Sequence, residues 1–133
     1  MVERRIPDGA KKHGYMTAVH YCLQYPEWQQ ELRSLPTDAG RAITYDSMPH
    51  AKNRISDSTA GIAIRRAELQ HKMKVVEDTV RAVAGKGLFS WLMTGVTQEG
   101  ISYLYQRTLG IPCSRNEYYG LRREIYKEIA KKI

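Results

Sequence analysis

The sequence predicts an all-α protein: a small helical domain with a long central helix and a C-terminal helix-turn-helix. Three observations carry that expectation. Apolar residues between Ile62 and Val83 recur at helical spacing with no proline among them. Residues 110–117 read as a glycine-containing turn followed by a capped helix start. No segment alternates apolar and polar residues as a half-buried strand requires.

Residues 1–13 hold Pro7, Gly9 and six charges, and read as a flexible basic arm. Residues 14–56 are expected to form short helices and a linker. The first helix covers Tyr15 to Leu23, with Met16, Val19, Tyr21 and Leu23 as its apolar side chains. Pro26 suits the first turn of the second, because the amide hydrogen it lacks would be unpaired there. That helix runs through Trp28, Gln29, Leu32 and Leu35 and stops at Pro36. Thr37 to Ser56, with Gly40, Pro49 and Asn53, keeps no period and reads as linker or loop.

Residues 57–133 are expected to hold the long helix and a DNA-binding helix-turn-helix domain. Asp57 and Ser58 offer N-cap side chains for a helix beginning at Thr59. Within it Ile62, Leu69, Met73, Val76, Val80 and Val83 are separated by 7, 4, 3, 4 and 3 residues. The stripe also fits heptad spacing, with Arg66 at one seam position. It can pack on its own domain or on a second copy. Gly85 and Gly87 end the helix. Leu88, Phe89, Trp91, Leu92, Met93 and Val96 then form a compact apolar helix, expected to be mostly buried.

Thr97 reads as the N-cap of the next helix, about Gln98 to Leu109, with Ile101, Leu104, Tyr105 and Thr108 facing the core. Gly110 closes it and Ile111-Pro112-Cys113 connect onward. Ser114 opens S-R-N-E, a capping box in which Ser114 receives the Glu117 N–H and the Glu117 side chain reaches back. The last helix runs from Arg115 to about Lys131.

At 133 residues the chain fits one domain with a modest core. Hydrophobic content of 42% and charged content of 26% exclude wholesale disorder. No apolar run is long enough to span a membrane, and no apolar stretch follows the N-terminal basic residues, so neither a membrane partner nor a secretory signal is expected. Cys22 and Cys113 cannot by themselves build a disulfide framework or a four-ligand zinc site. A soluble cytoplasmic protein is the expectation.

The net charge of +7 becomes informative when it is divided. Residues 1–13 contribute +2 and residues 14–100 only +1. Residues 101–133 carry seven basic against three acidic side chains, a balance of +4. On a helical wheel of the last helix, Tyr118, Leu121, Ile125 and Ile129 form a narrow apolar stripe, joined late by Lys132. Arg115, Asn116, Tyr119, Arg122, Arg123 and Tyr126 gather on another side, with Lys127 at its edge and Glu124 and Glu128 away from it.

A helix of that kind suits DNA. Arginine bonds guanine bidentately, asparagine bonds adenine, and tyrosine, lysine and a helix N-terminus hold phosphates. Residues near the start of a recognition helix enter the groove deepest, which selects Arg115, Asn116 and Tyr119 for base contacts. Arg107, Arg122, Arg123 and Lys127 are then candidates for the backbone, and Ser114 and Tyr126 complete the expected DNA-binding set. The competing reading is an amphipathic surface helix whose cations merely solvate it.

Two stretches also carry a family resemblance. Asp46-Ser47-Met48-Pro49 precedes SDSTAGIAIRRAELQHKMKVVEDTV, and LGIPCSRNEYYGLRREIYKEI closes the chain. In this order they resemble the phage late-transcription activators of the RinA and ArpU type, over about residues 20–133. The C-terminal part of those proteins resembles the promoter-reading domain of bacterial sigma factors. The turn here carries Pro112-Cys113, two residues more than family members with an L-G-I-S turn. The resemblance implies a sequence-specific regulator of phage or prophage origin, at work in a bacterial host or phage-infected cell. Its implied partners are double-stranded DNA and RNA polymerase, with a homodimer through the Ile62–Val83 helix as a further option. A terminase small subunit and a helical protein-binding adaptor are the alternatives.

Other groups carry less. His13, His20 and Cys22 lack a fourth ligand at zinc spacing, and His50 and His71 are isolated. Cys113 precedes a helix N-terminus, where a thiol pKa can fall, but has no basic partner at fixed spacing. Glu27 and Glu31 read as a solvated face. No nucleotide, metalloprotease or hydrolase motif is present, so no catalytic residue, metal or cofactor is expected.

Overall fold

The computed structural model describes residues 12–36 and 51–133, and for residues 51–58 it describes the backbone only. Among the described residues every regular element is helical and no strand occurs. In chain order the helices are α1 (Lys12–Leu23), α2 (Tyr25–Ser34), α3 (Ala51–Ala84), α4 (Phe89–Thr97), α5 (Tyr103–Thr108) and α6 (Arg115–Lys132). None of them is long and apolar enough to cross a membrane. The expected arm up to residue 11, the linker over residues 37–50 with its Asp46-Ser47-Met48-Pro49, and His50 lie outside the described residues. Lys12 and His13, placed in the arm by the sequence, instead open α1.

The chain divides into two compact units, one of Met1–Pro26 with Lys74–Ile133 and the other of Glu27–Met73. The boundary between these units falls inside α3. This helix also starts eight residues earlier than expected. No proline or glycine interrupts residues 51–60, so Asp57 and Ser58 lie within the helix and do not begin it. Its C-terminus agrees with the sequence: Gly85 follows Ala84 with φ of +78° and donates its N–H to Arg81 O at 3.0 Å.

In the Glu27–Met73 unit, Trp28 and Leu69 are buried. The Lys72 ammonium sits 5.8 Å from the Trp28 ring centre. Arg65 forks onto both carboxylate oxygens of Glu31 at 2.5 and 2.8 Å. The guanidinium holds the Glu31 carboxyl below its usual range. Arg66, at the seam position of the stripe, donates to the Pro36 carbonyl at 2.8 Å. Glu31 is thus an ion-pair partner and not simply part of a solvated face.

In the other unit α1 packs on α6 and α4, while α4 and α5 each pack on α6. The buried face of α1 is Tyr15, Ala18 and Cys22, at the i, i+3, i+7 positions of one helical stripe. Met16, expected among the apolar side chains, is 41% exposed. The last turns of α3 supply Val76, Thr79 and Val80, and α4 supplies Leu92, Gly95 and Val96. Tyr25 donates a hydrogen bond to the Glu77 carboxylate. The α6 contribution is Tyr118, Ile125 and Ile129 from the expected stripe, joined by Tyr119 and Tyr126, while Leu121 is half-buried and Lys132 donates to Thr79 Oγ at 2.7 Å.

The clearest departure lies between α4 and α6. Thr97 is the last residue of α4, bonded to Met93 O at 2.6 Å, and does not cap the following helix. Gly100 adopts φ of +80°, a left-handed conformation that breaks the chain away from any helix starting at Gln98. Ser102 caps α5 in its place, accepting the Tyr105 N–H at 3.2 Å. The facing positions change accordingly. Leu104 and Tyr105 are exposed, and Gln106 is the buried residue.

Candidate nucleic-acid interface

The α5–turn–α6 unit is closed by local bonds that the sequence specifies. Gly110 turns the chain with φ of +95°, and the Ile111 N–H returns to Gln106 O at 3.1 Å. Ile111 is buried under the turn. The Tyr103 hydroxyl donates to Cys113 O at 2.7 Å and so braces the added Pro112-Cys113 residues. Ser114 caps α6 by accepting the Glu117 N–H at 3.2 Å. Ser114→Ala is expected to lower stability by about 1 kcal/mol, read as a shifted urea midpoint with an unchanged slope. The Cys113 thiol moves up, through burial and the nearby Glu117, and not down as a helix N-terminus alone would drive it.

The first turn of α6 presents Ser114, Arg115 and Asn116 to solvent, and Arg107 is exposed on α5. Arg123 and Lys127 are half-buried. Two expected contacts are withdrawn. Tyr119 and Tyr126 are only 6% and 5% exposed, so Tyr119 does not offer the surface a base contact needs and Tyr126 does not offer one to DNA either. The Tyr119 hydroxyl accepts the Tyr103 N–H at 3.0 Å. The Tyr126 ring stands edge-on to Tyr15 at 5.6 Å. Tyr126 is covered by α1 through Tyr15, and Tyr119 is tied to the start of α5; nothing in the sequence of α6 itself discloses either contact.

Arg122 is also drawn inward. Its Nη1 donates to Ile101 O at 3.1 Å, and its guanidinium lies 5.2 and 5.8 Å from the Tyr119 and Tyr118 rings. It braces the loop before α5 rather than facing solvent. Arg115 lies 5.7 Å from the Tyr119 ring, a stacking contact that keeps the guanidinium at the head of the helix. The exposed side of α6 contains Asn116, Glu117, Glu124 and Lys131, so its charge is mixed and the clean segregation of the wheel does not survive.

One organising residue has no obvious sequence signal. Gln106 is 1% exposed, and its Nε2 donates to Trp91 O and to the Tyr118 hydroxyl, each at 3.0 Å. A single side chain thereby ties α4, α5 and α6 together. An amide on a six-residue helix has no periodic pattern to announce it. Beside it Leu104 and Tyr105 of α5 and Leu109 just after its end are 68%, 52% and 59% exposed.

No family model matches the chain, and neither a curated protein nor a solved structure shows significant similarity to it.

Proposed function

We propose that the chain binds double-stranded DNA through the first turn of α6 and regulates transcription in the manner of the phage activators it resembles. The observation that carries this reading is the capped head of α6, where Arg115 and Asn116 stand exposed after a braced turn. Arg115 and Asn116 have the chemistry to read guanine and adenine, and Glu117 can accept from cytosine. Arg107 and Lys127, with Arg123 beside them, are the backbone contacts, and the surplus of +4 over residues 101–133 supplies the attraction.

Selection of bound duplexes from a random pool tests the reading directly. A preferred sequence is expected, and replacing Arg115 and Asn116 with alanine should weaken it by about ten- to a thousandfold. Lys127→Ala should weaken all sequences alike and reduce the salt slope by about one. Unchanged affinity in the Arg115 and Asn116 variants refutes the assignment. The protein-binding adaptor is the second reading, favoured by the exposed Leu104, Tyr105 and Leu109. Failure to retain DNA at low salt would select it.

A further inference from the structure

Tyr119 stands on α6 between two arginines, Arg115 at its i−4 and Arg122 at its i+3 position, where helical side chains meet. Its ring is buried and fixed from three directions. The hydroxyl accepts the Tyr103 N–H at 3.0 Å, which ties it to the start of α5. The Tyr118 ring stands edge-on to it at 5.0 Å, and Tyr118 is itself fully buried. The Arg122 guanidinium lies 5.2 Å from the ring centre and is held by its bond to the Ile101 carbonyl at 3.1 Å. A ring so constrained cannot turn to follow a mobile neighbour; the neighbour must follow the ring.

That neighbour is Arg115. Its guanidinium lies 5.7 Å from the Tyr119 ring centre although the residue is exposed. Among the described residues no salt bridge or hydrogen bond engages it. An exposed arginine without a directing contact samples many rotamers, and fixing them on binding costs entropy. The attraction of a cation for an aromatic ring occupies no hydrogen-bond acceptor, so the N–H fork that bonds guanine stays available. Arg115 is thus given a direction without losing the donors it would read with.

We propose that Tyr119 is a positioning residue for base reading: its fixed ring holds the Arg115 guanidinium in the pose that meets a guanine edge, while the ring itself touches no DNA. The inference rests on the DNA reading of the α6 head. Discrimination at the base pair that Arg115 reads then depends on Tyr103, Tyr119 and Arg122 behind the interface, because a side chain ordered in advance costs less to order on binding.

The test has an arm without DNA and an arm with it. In the free full chain, the Arg115 side-chain Nε–Hε resonance, identified by its loss in Arg115→Lys, should be displaced by the ring current of Tyr119. The displacement should persist in Tyr119→Phe and vanish in Tyr119→Leu. With DNA, affinity is measured for the selected duplex and for one altered at the base pair where Arg115→Ala loses its preference. Tyr119→Leu should reduce the ratio of the two affinities by about two- to fivefold, and Tyr119→Phe should retain it. A merely structural role cannot move that ratio, since loss of folded protein weakens both duplexes by the same factor. A ratio unchanged in Tyr119→Leu, or lowered as much in Tyr119→Phe, overturns the proposal. If Tyr119→Leu fails to fold, the wild-type resonance decides: a displaced line supports the proposal, and that of a free arginine overturns it. Failure of the DNA reading looks different. No duplex is then preferred at all, and the base-reading role of Tyr119 falls with it whatever the resonance shows.

Discussion

Replacing Gly95 with alanine is expected to destabilise the unit that carries α6 by about 3 kcal/mol, near the upper end of ordinary overpacking costs. A Cβ at this position would lie 2.2 Å from the Tyr118 hydroxyl oxygen, 3.1 Å from Tyr118 Cζ and 3.3 Å from Gln106 Nε2. No real contact is that short, so something must move. Tyr118 is fully buried, and its hydroxyl is held by Gln106, which is itself anchored on Trp91 O. The strain therefore passes into the bonds that join α4, α5 and α6. Chemical denaturation reads the loss as a lower midpoint.

A second variant separates steric strain from a weakened α4. Tyr118→Phe alone removes the acceptor of one buried hydrogen bond and should cost about 1 kcal/mol. Combined with Gly95→Ala it also removes the atom in closest collision. The double variant should then be less destabilised than the two single costs added, by at least about 0.5 kcal/mol. Strict additivity would place the cost of Gly95→Ala elsewhere, in the intrinsic behaviour of α4.

This network also marks how far the sequence could be read. The Gly85 and Gly110 stops, the Ser114 cap and the α6 stripe of Tyr118, Ile125 and Ile129 depend on residues within a few positions of one another, and periodicity discloses them. The polar side of α6 was only half legible. Tyrosine suits a phosphate contact and a packed core equally well, since it has an apolar ring and one polar tip. What separates the two uses is α1, about a hundred residues earlier in the chain, where Tyr15 meets Tyr126. Arg122 follows the same logic, drawn inward by the Ile101 carbonyl. The start of α5 was misread for a different reason: Thr97 and Ser102 are both plausible caps, and the left-handed Gly100 between them decides for Ser102.

Stability is also expected to fall steeply on the alkaline side, because the same buried groups resist ionisation. Burial pushes the Cys22 thiol up to about 12. Burial also raises the phenols of Tyr118 and Tyr126, and that of Tyr15 despite the opposing pull of Arg122 and Arg123. Tyr25 is raised by burial and then by its hydrogen bond to Glu77. In the unfolded chain a thiol titrates near about 8.5 and a phenol near about 10. Each folded value lies above its unfolded counterpart, so the protonated, neutral form is the one the fold favours. The stability tied to these groups is fully present below the unfolded values and is lost as pH rises through them toward the folded ones. One such group removes up to about 1.4 kcal/mol per pH unit in that window. Cys22 and Tyr126, both deeply buried, would together erase about 2 kcal/mol between about pH 10 and 11, a substantial part of an ordinary domain's stability. Urea midpoints should hold level to about pH 8.5 and then drop with growing slope. Tyr126→Phe should flatten that slope by about one proton's share, since its ring can still pack against Tyr15. A midpoint that stays level to about pH 11 would mean that these hydroxyls reach water in the folded chain.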